Sequence, residues 1–107
     1  MRAIPQKLRD EMSDDQYYKT CSRASFECKG RITWEHSIIF AGRQLNEKWA
    51  IIPLCVFHHL GPGLVKEINE MIALNRATDE QLIDVSKAVD YRRLRNYLND
   101  KYETERV

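Results

Sequence analysis

A chain of 107 residues with 43% hydrophobic content is the size of one ordinary globular domain, small enough that a metal or other staple would add needed stability. The net charge of +1, from 17 basic and 16 acidic residues, excludes a global electrostatic pull on nucleic acid, so any such affinity must be local. No apolar run approaches 18 residues and "MRAIPQKLRDEMSDD" lacks a stretch of signal-peptide length, which leads us to expect a cytoplasmic protein with no membrane partner.

In chain order, Pro5 suits the first turn of a short helix reaching about Met12, because its missing N–H has no helical partner there. Asp14 and Asp15 end that helix or start the next turn. "RITWEHSIIF", residues 31–40, is β-branched and aromatic and follows the turn pair Lys29-Gly30, which predicts a strand. "AGRQLNEK" loops back to a second strand, "WAIIPL", expected to stop at Pro53, which has no ladder donor. "CVFHHL" then begins a helical turn that Gly61-Pro62-Gly63 stops. Leu64, Val65, Ile68, Met71 and Ile72 fall on one face of a helix over about 64–76. Thr78 and Gln81 have capping-box spacing for a helix over about 79–85. Asp90 caps a last helix over about 90–102, with Tyr91, Leu94 and Leu98 inward and Arg92, Arg93, Arg95 and Lys101 mostly outward.

The chemistry-bearing residues fall around the two strands. Cys21 and Cys28 precede the first, and Cys55 and His58 form CxxH after the second. Two ligand pairs flanking a hairpin can converge on one tetrahedral Zn²⁺, which takes thiolate and imidazole at about 2.0–2.3 Å. The seven-residue step from Cys21 to Cys28 is wider than usual in such sites. Three buried free thiols, or redox cysteines, are the alternatives. A disulfide framework is disfavoured by the odd count and the expected reducing compartment.

Glu35, His36 and His59 remain. A carboxylate and a histidine can bind a divalent cation with positions left open, and a free histidine can take a proton from water at neutral pH. Glu35 and His36 are neighbours on a strand, so they can serve one site only where the backbone bulges or bends. Otherwise Glu35 is a solvated strand residue and His36 a partly buried, satisfied histidine. Basic residues exceed acidic ones by five to three over residues 21–48, whereas residues 49–89 are net acidic. Arg31 and Arg43 flank the cluster, and the planar guanidinium suits phosphate oxygens. "YRRLRNY" carries further positive charge on what reads as an amphipathic helix face, while Trp34 and Trp49 are expected in the core.

"CSRASFECKGRITWEHSIIFAGRQLNEKWAIIPLCVFHH" resembles the HNH family of nucleases. That family's pattern is an acid or histidine followed by histidine on a first strand, an asparagine in the loop, and Leu-Cys-x-x-Cys-His entering a helix. The likeness covers about residues 21–60 and is nearest to small phage-like HNH proteins. It implies an α+β fold: a small ββα-metal core with a structural zinc site, flanked by C-terminal helices in one domain spanning 1–107.

Carried onto this chain, the resemblance implies that Cys21, Cys28, Cys55 and His58 hold structural Zn²⁺. Glu35 and His59 would hold a catalytic divalent cation, Mg²⁺ or Mn²⁺ with Zn²⁺ or Ni²⁺ as alternatives, and His36 would be the general base of DNA phosphodiester hydrolysis. Arg31 and Arg43 would grip the nucleic acid. The pattern places its asparagine where this chain has Ala50; Asn46, or else Gln44, is the loop residue expected to stand in for it. If neither reaches the site, the expectation shifts to a catalytically inactive zinc-stapled module that binds DNA or a phage or host protein. A component active only within a packaging or recombination assembly is a third reading.

Overall fold

The computed structural model describes residues 4–40, 43–88, 94, 96, 97, 99 and 100, and of residues 40, 43 and 88 the backbone alone. The elements are α1 (Gln6–Ser13), β1 (Ile32–His36), β2 (Ile39–Phe40), β3 (Arg43–Gln44), β4 (Ile51–Cys55), α2 (Val56–His59), α3 (Lys66–Arg76) and α4 (Asp79–Ala88), with 3₁₀ turns at Gln16–Lys19 and Lys48–Ala50. It is a small α+β fold. β1 pairs antiparallel with β4 in unbroken register from Ile32 opposite Cys55 to His36 opposite Ile51, and β2 with β3 forms a second small ladder.

The apolar run "IIPLC" is β4, buried at every position. A strand that reads as a continuous apolar run must be covered on both faces, and the packing shows how. Ile52 and Leu54 join a cluster with Trp49 of the preceding 3₁₀ turn and with Ala73, Leu74, Ala77 and Leu82, drawn from α3, α4 and the link between them. Ile51 joins a second cluster with Ile4, Met12 and Tyr18, flanked by Leu8 and Trp34. The N-terminal helix is therefore the lid on the sheet's other face.

Four expectations change. The predicted first strand is two, because pairing with β4 stops at His36 and the chain turns into the β2–β3 hairpin. The second strand does not stop at Pro53. The Pro53 carbonyl accepts from the Ser22 amide at 2.8 Å, on the edge away from β1, so the absent proline N–H forfeits no ladder bond. Trp49 lies in the preceding 3₁₀ turn rather than in the strand, and is buried. The buried face of α3 is not the apolar stripe: Val65, Ile68 and Met71 are exposed, whereas Asn69, Ala73 and Leu74 are buried. A small residue at 73 lets the helix approach β4 closely, and a polar one at 69 finds a partner described below.

The helix punctuation holds. Thr78 N donates to Gln81 Oε1 at 2.8 Å and Gln81 N to Thr78 Oγ1 at 3.1 Å, a reciprocal capping box. Asp15 caps the first 3₁₀ turn through Tyr17 N at 2.9 Å. Of the last predicted helix, residues 94, 96, 97, 99 and 100 are helical and Leu94 is buried. Asp90, Tyr91, Arg92, Arg93, Arg95, Leu98 and Lys101 lie outside the described residues. Among the described residues no helix is long and apolar enough to cross a membrane.

One polar knot ties the N-terminal layer to α3. The Tyr18 hydroxyl is directed at the carbonyls of Lys48 (2.5 Å) and Ile51 (2.9 Å) and accepts from Arg76 Nη1 at 2.8 Å. The Arg76 guanidinium lies 3.8 Å from the centre of the Tyr17 ring, so its charge is shared with an aromatic face. Burial pushes the Tyr18 hydroxyl above its ordinary pKa, which keeps it a donor. Tyr18→Phe strips a part-buried guanidinium of its nearest acceptor and two backbone carbonyls of a shared donor, and should lower unfolding stability by about 1–3 kcal/mol in urea titrations.

Candidate metal centre

Cys21, Cys28, Cys55 and His58 come from two separate segments. The first two bracket an irregular knuckle made of two turns, closed by Ala24 N to Cys21 O (3.1 Å) and Cys28 N to Ser25 O (3.2 Å). These turns take up the wide spacing that made this half of the motif look unusual. The second pair spans the end of β4 and the single turn of α2, where a three-residue step brings Cys55 and His58 to one side. Phe57 N donates to Lys29 O at 3.2 Å and Arg23 bonds to the Gly63 carbonyl, joining the two segments.

Two glycines set the approach. Gly30, at φ +86°, sits where a Cβ would come within 2.8 Å of the Val56 side chain. A Cβ on Gly63 would meet the Phe57 ring at 2.4 Å and the His58 ring at 2.9 Å. Side chains at either place would wedge α2 away from the cluster.

The ligand atoms of the four residues all lie within 4.8 Å of one another. His58 Nδ1 is 3.2 Å from the sulfur of Cys55, 3.5 Å from that of Cys21 and 3.6 Å from that of Cys28. One ring nitrogen equidistant from three sulfurs is not the geometry of a single hydrogen bond. A tetrahedral ion with nitrogen at about 2.0–2.1 Å and sulfur at about 2.3 Å would separate them by about 3.5 Å, so the donor set fits a metal ion such as zinc. Ser25 N approaches Cys28 Sγ at 3.4 Å, the kind of amide contact that supports a thiolate.

Electrostatics agree with a cation at the centre. Burial pushes the Cys21 thiol up, and its sulfur neighbours add to that. At Cys55 burial is the largest influence and also raises the pKa. The amides of His58 and Lys29 and the His58 ring outweigh it together, bringing this thiol down to about 6. Ionising the remaining sulfurs in so small a volume calls for positive charge between them. No disulfide competes, since all three cysteines are free.

The two adjacent histidines separate cleanly. Neighbours on a helix are rotated by about 100°, and with His58 in the sulfur cluster His59 turns to β1. Thr33 Oγ1 donates its one proton to Leu54 O at 2.7 Å, so it accepts from His59 Nδ1–H at 2.6 Å. His59 Nε2 then carries the lone pair in the neutral ring, and burial lowers the His59 pKa, favouring that neutral form. Thr33 and Glu35 are two residues apart and share a face of β1.

A polar cavity of about 250 Å³ opens at the end of β1, lined by Glu35, His36, Ser37, Ile39, Lys66, Asn69 and Glu70. The unbroken register shows no bulge at Glu35 and His36; they reach one cavity because the strand ends there. Burial pushes the Glu35 carboxyl up, opposed by a hydrogen bond from Asn69 and by the nearby Lys66 charge. His36 Nε2 lies 2.6 Å from Asn46 Oδ1. An amide oxygen only accepts, so Nε2 carries the proton and Nδ1 the lone pair of the neutral ring. Asn46, from the loop before β4, thus reaches His36, while Ala50, where the sequence resemblance would place an asparagine, is fully buried in the 3₁₀ turn.

Among the described residues the Cys₃His set is the one group of three or more His, Cys, Asp or Glu side chains that converges within 4.8 Å, and Glu35, His36 and His59 form no second such group. Arg31 is exposed beside a shallow groove shared with Arg9 and Trp34, and the side chain of Arg43 lies outside the described residues. Lys48, counted in the local basic excess, is paired with Asp15 at 2.9 Å. Trp34 packs edge-on to Tyr18 at 6.3 Å between ring centres, as a packing group does. Asn69 was not singled out from the sequence, and its signal is slight: a polar residue four positions before a small one on α3.

Comparison with protein families, with characterised proteins and with solved structures found no match to this chain.

Cys55→Ser and His58→Ala should each lose bound zinc and most of the cooperativity of unfolding, because metal-binding free energy is part of folding free energy. His59→Ala should keep one zinc per chain and melt cooperatively. Elemental analysis beside thermal melts separates the two histidines, and zinc lost equally from both variants would refute the assignment.

Proposed function

We propose that this chain is an HNH-type nuclease: a ββα-metal scaffold stapled by structural zinc that hydrolyses phosphodiester bonds in DNA with a divalent cation, His36 acting as general base. The observation that carries the reading is the 2.6 Å contact of His36 Nε2 with Asn46 Oδ1, on a histidine that lines a polar cavity beside Glu35. It supplies the orienting group a general base needs, from a loop position four residues earlier than the family pattern places it.

The residues divide the work as follows. Asn46 fixes the His36 tautomer, so Nδ1 is the atom that takes a proton from an attacking water; general-base catalysis of this kind is worth about 10²- to 10⁴-fold in rate. Glu35 and neutral His59, an oxygen and a nitrogen donor on the same side of β1, would hold Mg²⁺ or Mn²⁺, with Thr33 setting the His59 ring so that Nε2 is the donor. A cation bound there supplies Lewis-acid stabilisation of charge building on the phosphate and the leaving oxygen. Arg31, exposed in a separate groove before the start of β1, is the residue proposed to grip the backbone of a duplex away from the cavity. The Cys₃His centre uses all four protein donors and keeps no position open, which suits a structural rather than a catalytic role.

The rival reading, a zinc-stapled module that binds DNA or a protein without cutting, draws on Phe26, 98% exposed at the tip of the cysteine knuckle near exposed Lys29. An aromatic so placed is a natural contact for a partner.

A plasmid-nicking assay with and without Mg²⁺ or Mn²⁺ decides. Wild-type protein should nick only with the cation. His36→Ala should fall by about 10²-fold or more with zinc and fold retained, and Asn46→Ala should fall less, because it leaves the base in place but unoriented. Retarded but uncut plasmid under every condition would favour the binding module, and full activity of His36→Ala would remove the base assignment.

A further inference from the structure

Glu35 is held from a direction outside the segment that carries the motif. Asn69, the fourth residue of α3, is 1% exposed, and its Nδ2 donates to Glu35 Oε2 at 2.7 Å. Its other amide atom, Oδ1, is buried with no hydrogen-bond partner among the described residues. A buried acceptor without a partner is a standing cost in a folded protein, and a leucine of similar size would fill the same space without it. Yet the helix turns this asparagine inward and leaves Ile68 and Met71 exposed on its other side. Asn69 also lines the cavity with Glu35, His36, Lys66 and Glu70. An amide that bonds to one carboxylate oxygen and keeps an acceptor in reserve is what an outer support of a metal-binding carboxylate offers.

We propose that Asn69 is a positioning residue of the cation site: Nδ2 pins Glu35 Oε2, leaving Oε1 for a divalent cation, and Oδ1 accepts from the hydration shell of that ion. The inference rests on the cation reading of Glu35 and adds to it a residue from α3. The site is then completed only when α3 docks, which makes the helix part of the functional unit rather than a flanking brace. Lys66, at the first position of the same helix, adds a positive charge that favours the ionised carboxylate.

The test measures cation binding directly. Zinc-loaded protein is titrated with Mn²⁺ and the free ion is followed by electron paramagnetic resonance, for wild type, Glu35→Gln, Asn69→Leu and the Glu35→Gln/Asn69→Leu double variant. Asn69→Leu should weaken Mn²⁺ binding by about 10- to 100-fold while zinc content and cooperative melting stay at the wild-type level. In the Glu35→Gln background the same change should add nothing, since residues acting through one another are not additive. Wild-type Mn²⁺ affinity in Asn69→Leu, with binding lost in Glu35→Gln, would overturn this inference alone; so would an additive loss in the double variant. Equal Mn²⁺ uptake by wild type and Glu35→Gln would bring down the cation reading and this inference together. Should Asn69→Leu fail to melt cooperatively, Asn69→Ala carries the same comparison by the same criteria.

Discussion

Three sulfurs and one imidazole nitrogen meeting within 4.8 Å set the frame on which everything else hangs. The segment from Cys21 to Gly30 has no strand or helix of its own, only turns, so its place depends on its two cysteines in the cluster and on its bonds to Pro53, Phe57 and Gly63. The same convergence sets the phase of α2. With His58 drawn into the sulfur cluster, helical geometry leaves His59 facing β1, where Thr33 orients it. The cluster thereby decides which way the next side chain points, although the two residues share only a peptide bond. Gly30 and Gly63 belong to the same constraint, since each clears the space in which α2 seats against the knuckle.

Around that staple the fold is a strand buried on both faces. β4 divides the apolar residues into two layers, α1 and Tyr18 on one side, α3 and α4 on the other. Arg76 crosses between them, reaching from the end of α3 to Tyr18 and stacking on Tyr17. The polar cavity opens where this sandwich runs out, at the last residues of β1. There Glu35 and His36, which a continued strand would have pointed to opposite faces, both line one space. The end of the strand supplies the departure from straight backbone that a bulge or a bend was needed for.

What could be read from the residues was what local geometry determines. The CxxH step, the Thr78–Gln81 box and the stop at Gly61-Pro62-Gly63 need only a few residues in one conformation, and each is found. The two cysteine-bearing halves were legible as a set because their chemistry has few other uses. Side-chain choices made by tertiary packing were not legible. Nothing in the order His58-His59 says which ring enters the sulfur cluster. Asn46 was expected to reach the site from its loop, but its position does not reveal which ring nitrogen of His36 it meets. The face of α3 was misjudged because periodicity counts apolar side chains, while the packing selected the stripe with a small residue at 73 and an amide at 69. A polar-small stripe opposite an apolar one, on a helix following a candidate acidic ligand, is the pattern that would have pointed to it.

The two polar centres differ in a way that argues for different work. Cys21, Cys55 and His58 are buried, and with Cys28 they bring four donor atoms together, enough to fill a tetrahedral ion such as zinc. Glu35, His36 and His59 are only partly buried; the first two line a cavity open to solvent, and the third, at the end of α2, bonds to Thr33 of β1. They offer oxygen and nitrogen donors too few to saturate an ion. Their orientation is nevertheless held by neighbours that contribute no charge: Thr33 to His59, Asn46 to His36, Asn69 to Glu35. Neutral partners of that kind fix tautomer and direction without cancelling the side chain's own charge.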